Sequence, residues 1–137
     1  MAKVAFSLVL PERELARLDA DMVVVPGGDG DFGVMPGHIA MVSTVRPGVV
    51  ELHDAGKVSA RYMVAGGFAE VTPERCTVLA EEAVPLAEVT ADGLAKRVKD
   101  ADAAVADAAT PGEKAAAERA ATVARELQRA HAYAAAH

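Results

Sequence analysis

Pro85-Leu86-Ala87-Glu88-Val89-Thr90-Ala91-Asp92-Gly93-Leu94 is the stretch where the periodicity of the chain changes, and that change decides the fold. Before it, short Val-, Phe- and Leu-rich runs are broken by Gly, Pro and Asp about every 8 to 12 residues, the rhythm of a sandwich or barrel. After it, Leu94, Val98, Ala101, Val105 and Ala108 recur at helical spacing, and Ala116, Ala120, Val123, Leu127, Ala130 and Ala134 repeat the pattern. Two such stripes are the seam of packed helices. Between them, Thr110-Pro111-Gly112-Glu113 reads as a capping box. Thr110 accepts the N–H of Glu113, Glu113 reaches back to the N–H of Thr110, and Pro111 takes the first helical position, where a missing donor costs nothing. So short a connection makes an antiparallel hairpin. The sequence therefore predicts a β + α chain, with a β-domain over residues 1–87 and a two-helix hairpin over residues 88–137.

Working back from Pro85, residues 3–10, 13–18, 21–26, 33–35, 39–45, 48–52, 58–64, 68–71 and 76–81 read as strands. The segment His53-Asp54-Ala55-Gly56-Lys57 places Asp and Gly at turn positions between two of them, a hairpin signal. Met22-Val23-Val24-Val25 is a continuous apolar run suited to burial on both faces.

Composition excludes several functions. Of 31 Ala, 19 follow position 90, so the large apolar side chains that build a core sit in the first part. The Ala-rich seam buries little area, and the hairpin is expected to lean on the β-domain or on a partner. With no Trp, no Asn, one Gln and a net charge of -6, the chain has little with which to stack on or read bases, and no basic face for phosphates. Nucleic acid is excluded as a partner. Residues 1–88 carry 7 basic and 13 acidic side chains, and residues 89–137 carry 7 of each. No apolar run approaches the ~20 residues that span a bilayer, and the N-terminal stretch lacks a signal-peptide cleavage site, so direct membrane insertion is not expected. A single cysteine, Cys76, cannot form an internal disulfide and fits a reducing compartment.

The densest local signal runs from Pro26 to His38, with five Gly and two Pro. As a phosphate cradle it lacks the Lys-Ser or Lys-Thr that should follow, and Asp29 and Asp31 would repel the ligand. As a calcium repeat it has Phe32 where a liganding Asp belongs. It reads instead as a surface loop in which several glycines, Gly30 and Gly33 among them, take positive φ. His38 has no second ligand or nucleophile in register, since His53, His131 and His137 are scattered, so it is expected to bond backbone or meet a partner. Cys76 reads as a small buried hydrophobe rather than a reactive thiol. Arg125 and Arg129, four apart, form an anion clamp or a solvated face beside Glu126.

Gly27-x-x-Gly30-x-x-Gly33-x-x-Pro36-Gly37-His38, then Arg46-Pro47-Gly48, then Ala65-Gly66-Gly67 with Val71, and finally Thr77-Val78-Leu79-Ala80-Glu81, resemble in order and spacing the ε subunits of bacterial F-type ATP synthases. The resemblance covers residues 3 to about 84. Beyond them only the two-helix architecture matches.

The resemblance implies a flattened ten-stranded β-sandwich followed by the hairpin. It also implies a subunit without catalysis or cofactor of its own, placed in the central stalk and coupling the γ subunit to the ring of c subunits. Such a subunit is peripheral on the cytoplasmic face of the bacterial inner membrane. Carried over residue by residue, Asp29, Gly30, Asp31, Phe32 and Gly33 fall where the family docks on the c ring, and His38, Met41 and Val42 fall where it meets γ. In many members the hairpin extends to the α and β catalytic subunits and blocks hydrolysis, and in some it binds ATP when folded back. Members that bind ATP carry an acidic residue followed three positions later by Arg. Here Ala95 stands three after Asp92, so Asp92, Arg125 and Arg129 are expected to form a degenerate nucleotide site. The competing reading is a free-standing β-domain that holds a small ligand at the Gly-rich loop.

Overall fold

The computed structural model describes residues 2–137. Ten strands precede two helices: β1 (Val4–Val9), β2 (Glu14–Ala20), β3 (Met22–Gly27), β4 (Gly30–Val34), β5 (Met41–Val45), β6 (Gly48–Asp54), β7 (Lys57–Val64), β8 (Gly67–Val71), β9 (Arg75–Ala80), β10 (Ala83–Pro85), then α1 (Ala91–Asp107) and α2 (Pro111–Ala136). A 3-10 turn, Leu86–Glu88, joins the two parts. The strands form one hydrogen-bonded path, β10-β7-β6-β3-β5-β8-β9-β1-β2, with β4 paired on β3. Its two halves meet at a single pair, Gly27↔Val45. The sheet folds over at that hinge, and the halves enclose one core.

Alternation along the strands sets the core. Val4, Phe6 and Leu8 of β1, Val50 and Leu52 of β6, and Cys76 and Val78 of β9 are at most 1% exposed, and all belong to one cluster. Phe6 stacks on Tyr62 across it at 6.2 Å. Cys76 is the small buried hydrophobe the sequence predicts, and burial pushes its thiol up to about 12. The far side is closed by the Asp21 N–H donating to His53 O at 2.9 Å and by Lys3, which bridges Asp21 and Asp54. The predicted turn at residues 53–57 is a two-residue hairpin loop. Ala55 (φ 53°) and Gly56 (φ 77°) both take the left-handed conformation that such loops require.

Three expectations about the β-domain change. The Gly-rich run is not a loop throughout, because β4 begins at Gly30 and pairs with β3 as far as Gly27↔Gly30, leaving a two-residue tip, Gly28-Asp29. Gly30 (φ 136°) and Gly37 (φ 88°) are left-handed, but Gly33 is not. Gly33 is small because Met22 lies against it, with Sδ 3.2 Å from where a Cβ would sit. Finally, a tenth strand, β10, joins the nine read from the residues; at three residues ending in Pro it is too short to show a period.

The hairpin forms where the period predicts. Thr90 caps α1 by accepting from Gly93 N, and Thr110 caps α2 by accepting from Glu113 N at 3.1 Å. Glu113 reaches back one residue further than predicted, to Ala109 N at 3.0 Å. The α2 stripe also shifts. Ala116 and Ala120 are exposed, and Ala121, Ala124 and Leu127 are buried. Met63, Leu94 and Leu127 form a second small core with Val49, Ala65, Leu86, Val89 and Val123 around it, so the hairpin packs on the β-domain.

Candidate docking surfaces

The tip of the β3–β4 hairpin is built by close approach. A Cβ on Gly27 would sit 2.6 Å from Gly30 O and 2.8 Å from the Phe32 ring, and one on Gly28 would sit 2.2 Å from Thr44 Oγ1. These two glycines therefore serve packing, and Gly30 alone in the hairpin serves a left-handed φ. The Gly28 N–H donates to Thr44 O at 2.9 Å, tying the tip to β5. Arg46 adds a second tie. Its Nη1 donates to Gly27 O at 2.6 Å and its Nη2 to Asp31 Oδ1 at 2.5 Å. Of the five predicted residues, Phe32 thus packs against the core, Asp31 is paired, and Asp29 stands at the tip with no ion-pair partner among the described residues.

His38 follows a tight turn in which the His38 N–H donates to Met35 O and Gly37 supplies the left-handed residue. Its Nδ1 donates to Ile39 O at 2.8 Å, the backbone role expected of it. Met41 and Val42 lie on opposite faces of β5, since successive residues of a strand alternate. Met41 pairs with buried Val71, whereas Val42 is 70% exposed opposite Glu70. The register carries Val42's face across the sheet, where Thr44 pairs with Phe68 and Phe68 with Leu79. Phe68 is 53% and Leu79 39% exposed, and Ile39, just before β5, is 81% exposed. Val42, Phe68 and Leu79 thus share one outward face with Thr44 and Glu70, an apolar patch on a sheet whose core is otherwise complete and a candidate interaction surface. Phe68 and Leu79 escaped the sequence reading because alternation gives their face only after β8 and β9 are placed. Arg46 was visible only as part of a motif.

Of the predicted nucleotide residues, Arg125 is already engaged. Arg125 Nη2 donates to Asp102 Oδ1 at 2.5 Å, and Asp102 lies ten residues, about 15 Å, along α1 from exposed Asp92. Arg129 lines a different space, a cavity of about 700 Å³ between α2 and the sandwich that Arg46, Glu51, Arg61, Tyr133 and His137 also border. Within that cavity Glu51 accepts from Arg61 Nε at 2.9 Å and lies 2.7 Å from His53 Nε2. Among the described residues no group of three or more His, Cys, Asp or Glu is placed to hold a metal, and no helix is long and apolar enough to cross a membrane.

A folded-over ten-stranded sheet carrying a helical hairpin, with an outward apolar patch and a glycine-built tip, is a β-sandwich with a helical appendage and two candidate contact surfaces. Residues 3–86 match the ATP synthase, Delta/Epsilon chain, beta-sandwich domain. The ATP synthase epsilon chain of Paramagnetospirillum magneticum is 51% identical over 91% of this chain and 94% of its own length. That of Rhodospirillum rubrum is 51% identical over 89% and 91%. Among solved structures, a chain in the OSCP/F1/c-ring assembly of the Euglena gracilis mitochondrial ATP synthase superposes with a TM-score of 0.76. It shares 26% identity and is covered over 83% of its length by all of this chain. A chain of the Tetrahymena thermophila mitochondrial ATP synthase central stalk and c ring has the same fold, with a TM-score of 0.68 at 20% identity, covering 94% of this chain and 96% of that one. The chain belongs to the ATP synthase epsilon-chain family.

Proposed function

We propose that this chain is the non-catalytic rotor subunit of a bacterial proton-translocating ATP synthase, coupling the γ subunit to the c ring from the cytoplasmic face of the inner membrane. The observation that carries the reading is the exposed apolar patch of Val42, Phe68 and Leu79 on one face of the half-sandwich that begins at the Gly27↔Val45 hinge. In this reading γ covers that patch together with His38, and the Gly28-Asp29 tip meets polar loops of the c ring. A rigid tip bearing a carboxylate suits a basic partner loop. The α1–α2 hairpin regulates hydrolysis through the α and β subunits only when it leaves the sandwich, and the Met63, Leu94 and Leu127 cluster holds it there. The competing small-ligand reading is disfavoured because Gly27, Gly28 and Gly33 of the Gly-rich run are covered by Phe32, Thr44 and Met22, which leaves only Gly30 and Gly37 facing open space.

The test is reconstitution. Membranes stripped of the native subunit should regain ATP-driven proton pumping when the purified chain is added. Tight rebinding of the chain without any recovery of pumping would refute coupling.

A further inference from the structure

We infer that Arg46 is the positioning residue of the β3–β4 hairpin and that it divides the labour of the hairpin's two carboxylates, Asp31 for bracing and Asp29 for recognition. The inference rests on the reading that this hairpin docks on the c ring, and it names the atoms responsible. The last paired residues of this hairpin, Gly27 and Gly30, have no side chains to hold the β4 side of the tip, and the Gly28 N–H bond to Thr44 O ties down only the β3 side. The Arg46 guanidinium spans both strands. One N–H donates to Gly27 O on β3 and another to Asp31 on β4, while the backbone N–H of Arg46 donates to Pro26 O at 2.9 Å. A planar fork holds two acceptors in a set direction, which a lysine ammonium does not.

The brace has a chemical consequence. Asp31 Oδ1 is committed to Arg46, so the Asp31 carboxylate presents a neutralised pair to an incoming surface. Asp29, two residues earlier and at the tip, has no ion-pair partner among the described residues. A partner loop rich in Lys or Arg would therefore be read by Asp29, and the orientation of Asp29 would depend on Arg46.

The experiment compares Arg46→Gln, Arg46→Lys, Asp31→Asn and Asp29→Lys in the full-length chain. For each it measures affinity for the detergent-solubilised c ring carrying γ, salt dependence of that affinity, melting temperature, and amide exchange at Gly28, Asp29 and Gly30. Arg46→Gln and Asp31→Asn should both speed exchange at the tip and weaken binding about tenfold, with salt dependence retained and the melting temperature unchanged. Arg46→Lys should recover part of the affinity. Asp29→Lys should weaken binding and abolish its salt dependence while leaving exchange slow. Fast exchange in Arg46→Gln with undiminished affinity would overturn the positioning role, and so would unchanged exchange. Weak binding by Asp31→Asn with a slow tip would make Asp31 the recognition group instead. If Asp29→Lys and Arg46→Gln both bind normally, the hairpin does not dock and the underlying reading fails with it.

Discussion

Arg97 on α1 grips Glu82, in the connection between β9 and β10, with two parallel hydrogen bonds of 2.7 and 2.9 Å. Among the described residues it is the ion pair that joins α1 to the sandwich, and it stands beside the Met63, Leu94 and Leu127 cluster around a cavity of about 240 Å³. The Arg97 guanidinium holds the Glu82 carboxyl below the ordinary carboxylate range. A depressed acid stabilises the folded state fully above its unfolded value, about 4.3, and loses that contribution as pH falls through the lower folded value. Arg97→Gln should therefore lower the stability of the docked hairpin by at most ~1 kcal/mol near neutral pH, since both side chains are substantially exposed. Thermal melts of wild type and variant should converge as the solution is acidified below the ordinary Glu range. A constant gap would mean that the pair does not contribute.

Backbone strain separates the glycines. Gly67 has φ 143°, and a Cβ there would lie 2.0 Å from Leu79 O, whereas Gly37 has φ 88° and open space. Gly67→Ala should cost about 3 kcal/mol or more, and Gly37→Ala about 1 kcal/mol. Gly33→Ala, which meets only the flexible end of Met22, should stay within about 0.5 kcal/mol. Urea denaturation of the three variants gives the order directly.

The main core draws only on residues between Val4 and Ala83. Removal of residues 88–137 should leave a β-domain that melts cooperatively and still couples, with Met63 and Val49 newly exposed. The excised hairpin, held chiefly by alanines, should melt gradually. Loss of cooperative melting in residues 1–87 would show that the two parts fold as one.

ATP should not stabilise the chain. A ligand that binds only the folded state raises its melting temperature, and here Ala95 stands three residues after Asp92 while Arg125 is engaged by Asp102. Millimolar ATP should leave the melt unchanged, and a shift of several degrees would show that the hairpin closes on nucleotide another way.

Elements with a strong period were legible from residues alone. The Leu94, Val98 and Val105 stripe and the Thr110 cap placed the hairpin, and alternation placed β1 and β9, because large apolar residues face one way. In α2 the stripe held at Val123, Leu127, Ala130 and Ala134 but failed at Ala116 and Ala120, where alanines on every side give no size contrast to mark the buried face. The Gly-rich run misled for a related reason. Glycine serves equally for left-handed φ and for close contact, and only the positions of Phe32 and Met22 distinguish the two. The outward apolar patch is a property of three strands paired side by side, so Val42, Phe68 and Leu79 share a surface only once β5, β8 and β9 are in register.

The most direct measurement of the central claim is the binding of the purified chain to the purified γ subunit, with Phe68→Glu and Val42→Glu beside the wild type. The account predicts a stoichiometric complex for the wild type. It also predicts loss of that complex in both variants, with their melting temperatures unchanged because both side chains point outward. Wild-type affinity retained by Phe68→Glu and Val42→Glu, or no complex with γ at all, would contradict it.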